Sequence, residues 1–576
     1  MEPVKILLAC GAALVVMSGG CVMPPGAGIG ALDRYQQALA ERGPQKRVAQ
    51  DGLDSLRPLP GTTGPALQIR KDPETGRSQL PLSLDEAIVR ALTNNLDIRA
   101  VSFRPSISRE EMEKAAAEFD YIVFGAFTYE KADKETASPL FPSMSLTRTY
   151  QAGIKNKTVT GATWSLSHTM TDTRDNATFQ ALNRRFEPTL ALELTQPLLR
   201  DAWPGFNLAR LDLARVDYGV SMAAFRQKVE ETAAEVIATY WVLVQARRDL
   251  KIQQDLLDNT VTTLERVRAR SELDATAVQI KQTEAAAESR RAALIRAQKV
   301  IQDVQDHLAR LVNDAQINVV SDLEIVPITE LISTQVRLDA ADKLLTALRH
   351  NPVLEQARLA IDAADIAVRV AFNQALPRLD LTASTSLQGL DETANRAEES
   401  METGNYASYG FGLTGEYPLG NRAGAAELRR QRLGRLKAIT EMQNAADQVA
   451  LDVRERIRQI DTVYREMEAQ RAAVAAAKAQ LKGLEDTERI RGQLTPEFLQ
   501  VKLAAQEAVA SGERAELQAI VQYNTALADL DRATGTMLEV HRLKVALVPA
   551  TEGGYWPQPS APAGVPAFHP SPKTGP

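Results

Sequence analysis

From Phe206 to Val326 the chain runs 121 residues without a proline and with one glycine, Gly219. Inside that stretch Val236, Leu243, Leu250, Leu257 and Leu264 recur seven residues apart, the seam of a helix packed along its length against partners. At 1.5 Å per residue a helix from Asn207 to Arg270 spans roughly 95 Å, several times the width of a compact domain. A second column, Val453, Ile460, Met467, Val474 and Leu481, repeats the spacing later. Two long helical hairpins are therefore expected, in an object that crosses a gap or lines a conduit. A cytoskeletal-type rod satisfies the periodicity alone.

The N-terminus places that object relative to a membrane. Lys5 precedes an apolar stretch from Ile6 to Met17, and Ser18, Gly19 and Gly20 lead to Cys21, the pattern of a secretory signal peptide over residues 1–21. Ser18-Gly19-Gly20-Cys21 resembles a bacterial lipobox, with Ser18 in place of the usual leucine, so Cys21 is the candidate lipidation site. An unmodified cysteine after ordinary cleavage is the alternative. Cys10 and Cys21 are the only cysteines, so the mature chain holds no disulfide and no cysteine-based zinc site.

With 67 basic against 73 acidic residues the chain is mildly acidic, which argues against a nucleic-acid partner. Beyond the signal there is no apolar run of membrane-spanning length. Any membrane crossing must then be by strands in a closed barrel, because lipid offers no partner to an open edge. Suitable alternation exists. Leu379, Leu381, Ala383, Thr385 and Leu387 alternate with Asp380, Thr382, Ser384 and Ser386, and Tyr409, Phe411, Leu413 and Tyr417 alternate with small or polar residues. Earlier, Leu190, Leu192 and Leu194 share one face, as do Tyr121, Val123, Phe127 and Tyr129. A half-buried soluble sheet explains each strand singly, but not their company with hundred-residue hairpins.

The chain also repeats itself. A helix opening at Ser83 with Glu86 in capping-box position runs to Asn94-Asn95, and a second reaches His350-Asn351-Pro352, with Asn95 and Asn351 256 apart. Pro197 and Pro418, which end the strand regions, are 221 apart, and Glu265-Arg266-Val267-Arg268 matches Glu488-Arg489-Ile490-Arg491 at a shift of 223. The first strand region is therefore about 35 residues longer than its partner. The excess is an insertion with candidate strands at Gly161 to Met170, enlarging either an outer loop or a barrel wall. Pro197 and Pro418 lack the ladder donor and suit a barrel-to-tunnel hinge, or are two ordinary turn prolines.

Leu84-Asp85-Glu86-Ala87 before Asn94-Asn95, the Pro197 and Pro418 exits, Tyr417-Pro418-Leu419 before Arg422, and Tyr523-Asn524-Thr525-Ala526-Leu527-Ala528-Asp529-Leu530 before Gly535 together resemble the TolC family of outer-membrane efflux channels. The likeness covers roughly residues 82–548. It implies a mainly α fold with β: two repeats of long coiled-coil helical hairpins plus antiparallel strands, forming an α-barrel/β-barrel as a homotrimer. The repeats are placed at 82–338 (strands about 119–196, hairpin about 205–318) and 339–548 (strands about 376–417, hairpin about 421–545). A flexible tether at 22–81 and a disordered Pro-rich tail at 549–576 flank them.

The resemblance further implies an exit duct in the outer membrane, opened by a periplasmic adaptor and fed by an inner-membrane pump. In that family a Gly-x-x-Thr turn at the hairpin tip touches the adaptor and acidic residues ring the closed entrance. By position Gly492 and Thr495 match the turn, with Arg268, Arg270 and Arg491 beside it. Glu497 and its first-half counterpart Asp274 match the gate, while Gln500 stands where a second acid is usual. Crowded carboxylates would favour cations and repel one another; solvated helix-start acids are the plainer reading. His168, His307, His350, His541 and His569 are scattered without metal-ligand spacing, and no Gly-Lys-Ser or Gly-Lys-Thr loop is present, so neither an enzyme nor a resident cofactor or metal is expected. A periplasmic coiled-coil scaffold that never enters lipid is the alternative.

Overall fold

The computed structural model describes residues 69–71, 78–136, 141–177, 181–270, 276–314, 317, 319, 323–491 and 495–541. The leader with Cys21, most of the expected tether and the Pro-rich tail lie outside them.

Two hairpins dominate. Helix α4 (Ala209–Ala269, 61 residues) returns as α5 (Ala277–Val312), and α9 (Arg422–Arg491, 70 residues) returns as α10 (Pro496–Thr534). At 1.5 Å per residue α9 is roughly 105 Å long. The hairpins lie side by side, α4 packing on α10 as well as on α5. Val236, Leu243, Leu264, Val453, Ile460, Met467 and Val474 of the two columns are buried, while Leu250, Leu257 and Leu481 are half-buried. A strict seven-residue column drifts around a 3.6-residue helix, so not every member of a column stays on the buried face.

The duplication is visible in hydrogen bonds. Helices α1 (Leu84–Asn94) and α2 (Leu96–Ala116) meet at Asn95, and α6 (Ala340–His350) and α7 (Pro352–Gln374) meet at Asn351. Asn95 Oδ1 accepts from the amides of Asp97 and Ile98, and its Nδ2 donates 2.9 Å to the Leu311 carbonyl near the end of α5. Asn351 Oδ1 accepts from Val353, and its Nδ2 donates 2.9 Å to the Ala533 carbonyl near the end of α10. Each asparagine caps one helix and ties the junction to its hairpin's return helix. Asn351→Ala is expected to lower unfolding stability by about 1–2 kcal/mol, since it removes a cap and orphans a buried carbonyl. A denaturation midpoint equal to the parent's would remove the tie from this account.

The expected tether ends in ordered structure. Strands β1 (Arg70–Lys71), β2 (Ser78–Leu82) and β7 (Glu324–Pro327) form a small sheet, with β2 parallel to β7. Leu80 and Leu82 are fully buried in it, and their burial against α4 overrides the loop-like composition around them. Tyr240 of α4 pins the segment after β7, its hydroxyl donating to the Leu82 carbonyl (2.9 Å) and accepting from the Ile328 and Thr329 amides. Tyr523 of α10 does the same further on, donating to Thr334 and accepting from Val336. The capping box at Ser83 is half formed: Ser83 accepts from the Glu86 amide, but the Glu86 side chain turns to Arg90.

The larger sheet is a six-stranded antiparallel meander of β3 (Ile122–Asp133), β4 (Met144–Lys157), β5 (Thr163–Asp175), β6 (Arg184–Pro197), β8 (Arg378–Gln388) and β9 (Ala407–Glu416), in that spatial order. The inserted length of the first repeat thus becomes two strands inside the sheet, and β6 joins β8 to unite the repeats. Helix α8 (Ala394–Glu402), not foreseen from sequence, packs on β6 and β8 with Ala397 and Met401 buried. Gly389 permits that approach, since a Cβ there would sit 2.0 Å from the Ala397 carbonyl oxygen.

Candidate functional site

Register decides which residues share a face of the sheet. Val123, Ile154, Leu166, Leu192, Thr385 and Tyr409 are successive cross-strand partners in one row, and Phe127, Tyr150, Met170 and Pro188 in another. Among the described residues, every exposed large apolar side chain within these six strands lies on this face except Ile122. The opposite face carries Thr147, Thr149 and Gln151 on β4, Ser165, Ser167, Thr169 and Thr171 on β5, and Thr382, Ser384 and Ser386 on β8. One side suits hydrocarbon and the other water, the division of a membrane barrel wall. No helix of the described residues is long and apolar enough to cross a membrane. Among the described residues, charge on the apolar face gathers toward one end of the sheet, at Lys131 and Asp133 of β3, Arg148 of β4, Asp172 and Arg174 of β5 and Arg184 of β6, while His168 on β5 meets Glu398 of α8. Asp172, 5% exposed, lies between Arg148 (3.6 Å) and Arg184 (3.1 Å).

At the other end of the strands the chain turns into the helices. Pro197 ends β6 opposite Asp380, and the turn after it, which leads into the one-turn helix α3 (Pro204–Asn207), holds Asp201 and Trp203 at φ +64° and +77°. Asn373 at the end of α7 bridges this turn, accepting from the Asp201 amide (2.8 Å) and donating to the Ala202 carbonyl (3.1 Å). Gly161 at φ +91° packs beneath, where a Cβ would lie 2.4 Å from the Asp201 oxygen. Pro418 follows β9 and accepts from the Asn421 amide (3.0 Å), one residue before α9 begins. Both prolines therefore stand at strand-to-helix turns.

The far ends of the hairpins form the second candidate region. Thr276 caps α5 reciprocally with Gln279, and Thr495 caps α10 by accepting from the Phe498 amide (3.2 Å), with Pro496 in the first turn. Glu497 and Gln500 are exposed on the first turns of α10. Arg268 reaches Glu284 at 2.5 Å, which Lys281 also meets at 2.8 Å, and these two cations hold the Glu284 carboxyl below its usual range. Arg270 ends α4 half-buried, and Arg491 is the last residue of α9. Asp274 and Gly492 lie outside the described residues.

Sequence reasoning missed the polar contacts just behind these tips. Lys502 of α10, 1% exposed, binds Glu488 of α9 at 2.5 Å, and Arg266 of α4 stands 4.0 Å from the same carboxylate. Arg290 of α5, 7% exposed, donates to Thr260, to Gln506 (3.1 Å) and to the Leu503 carbonyl (3.1 Å), while Gln506 donates to Thr263. Burial lowers the Arg290 pKa from its ordinary value and Glu507, 3.6 Å away, opposes the shift. These groups tie the first hairpin to α10. The available signal was Lys502 and Gln506 four residues apart beside Leu499 and Leu503, a charged and polar pair on an apolar stripe.

Among the described residues there is no metal-ligand cluster, and His168, His307, His350 and His541 each face a single carboxylate. Residues 344–536 match the family described as outer membrane efflux protein. No curated protein matches the chain significantly. Similar solved structures include a membrane protein from Pseudomonas aeruginosa (18% identity, TM-score 0.59, covering 83% of this chain and 98% of that one). Also similar are the open-state MtrE outer membrane channel of Neisseria gonorrhoeae (18%, 0.57, 79% and 89%) and the outer membrane protein VceC of Vibrio cholerae (18%, 0.57, 78% and 96%).

Proposed function

From its outer membrane efflux protein domain at residues 344–536 and its TolC-type channel fold, we propose that this chain is the outer-membrane exit duct of a tripartite efflux or type I secretion system. Three copies close one barrel with their sheets and one periplasmic tunnel with their hairpins. Cys21 carries a lipid anchor. The tips around Arg268, Arg270, Arg491, Gly492 and Thr495 receive a periplasmic adaptor, and Asp274, Glu497 and Gln500 line the entrance that it opens. Transport is passive, and an inner-membrane pump supplies the energy.

The observation that carries this reading is the pairing of an exposed apolar sheet face with helices of roughly 100 Å. A soluble scaffold has no use for the first. Detergent-purified protein in a planar bilayer is expected to give stepwise, cation-preferring conductance, and Glu497→Ala to weaken that preference. Unaltered selectivity would keep the channel and remove Glu497 from its gate. Silent trimers, released from membranes by high salt without detergent, would favour the periplasmic scaffold instead.

A further inference from the structure

We propose that the assembled barrel has eighteen strands, each copy contributing all six strands of its meander and closing through β9 of one copy against β3 of the next. This rests on the trimer reading above. A chain with two strands per repeat would supply four and build a wall of twelve; here the hairpin β4–β5 sits inside the sheet, paired along its whole length to β3 and β6.

Three observations make β4 and β5 wall rather than loop. They are 14 and 13 residues long, beyond the roughly 9–11 residues a tilted strand needs to cross a bilayer. Their apolar residues Ile154, Tyr150, Leu166 and Met170 continue the apolar face of β6, and Thr149 and Thr169 continue its polar face. The outermost strands of the sheet are β3 and β9, exposed on both faces in the single chain, so the unpaired edges lie outside the added hairpin. Lipid leaves those edges no partner but another copy. Because the six strands alternate in direction, β9 and a neighbouring β3 run antiparallel, and the faces carry on in phase.

The helices give an independent measure of width. α2 leads into β3, α4 leaves β6, α7 leads into β8 and α9 leaves β9, and these four helices pack in that same order. Four helices side by side at 8–10 Å occupy an arc of roughly 32–40 Å per copy. Six strands about 4.8 Å apart and tilted about 40° occupy roughly 38 Å, whereas four strands would occupy roughly 25 Å. Six strands match the circumference of the helical tunnel without a step. The barrel is then roughly 36 Å between opposing backbones, against roughly 24 Å for twelve strands at the same tilt. The added inner wall bears hydroxyls and little charge, which suits large hydrated solutes.

Single-particle imaging of the full-length, detergent-purified protein counts the strands directly. Trimers with an eighteen-stranded wall are expected. Trimers with a twelve-stranded wall and β4–β5 folded out of it overturn the proposal, and assemblies of other than three copies overturn the trimer reading and the number with it. Excision of residues 134–176 leaves β3 and β6 antiparallel neighbours, and this variant is expected to exclude polyethylene glycols that the parent barrel admits from its outer side. An unchanged polymer cut-off in folded variant trimers would also overturn the wider wall. If the variant fails to assemble, the strand count of the parent still decides.

Discussion

Leu192→Arg is expected to abolish assembled protein in the outer membrane, while Ala191→Arg, one residue away on the same strand, leaves assembly intact. Leu192 lies in the row of Val123, Ile154, Leu166 and Tyr409 on the exposed apolar face, and Ala191 pairs with Ser167 and Ser386 on the polar one. A lipid-facing arginine near the bilayer centre destabilises a barrel by about 2–4 kcal/mol, and every copy of a trimer would carry it. That is a large share of the marginal stability of a folded protein. On the polar face the guanidinium stays in water and should reduce cation preference instead. Heat-resistant trimer in outer-membrane fractions is the measurement. Equal yields of the two variants would mean that the apolar face is not the lipid face.

The second large effect is expected at Arg290. Arg290→Leu should lower the unfolding free energy by about 2–4 kcal/mol, because it leaves Gln506 and the Leu503 carbonyl buried without their donor. The neighbouring Arg291 is 57% exposed and, among the described residues, paired to Glu288 alone within its own helix turn, so Arg291→Leu should change stability by no more than about 0.5 kcal/mol. Arg290→Lys keeps the charge but not the planar fork, and should fall between them. Thermal unfolding of the three variants side by side tests the order. If Arg290→Leu melts with Arg291→Leu, the polar contacts do not hold the hairpins together.

Much of this molecule is legible without coordinates because its signals are local. Val236 and Val453 announce their helices through spacing along one chain segment, and Leu379 to Leu387 announces a strand by alternation. Asn95 and Asn351 mark equivalent helix junctions because the same hydrogen bonds are made twice. β4 was hidden for a physical reason. Its apolar positions Leu146, Tyr150 and Ile154 are interrupted by Arg148, which reads as polar until Asp172 is brought beside it from β5. α8 was hidden because its nine residues are mostly polar, with only Ala397 and Met401 to mark a buried face, and its place depends on β6 and β8 beneath it. Lys502 looks like a solvated helix charge until Glu488 closes on it from the opposing helix.

The two long hairpins, the doubling of the chain and the division of the recognised strands into apolar and polar faces were determined by the sequence itself, since each is written in local patterns, the doubling in the same local patterns met twice. Only the tertiary structure decided that the inserted length becomes β4 and β5 within one continuous sheet, that β6 pairs with β8 to join the repeats, that β2 is buried beside β7, and that Arg290 reaches α10. Those outcomes depend on pairings between residues up to some 245 positions apart. Periodicity fixes what a segment can bury; which segment it is buried against depends on competition among all the others for register and space.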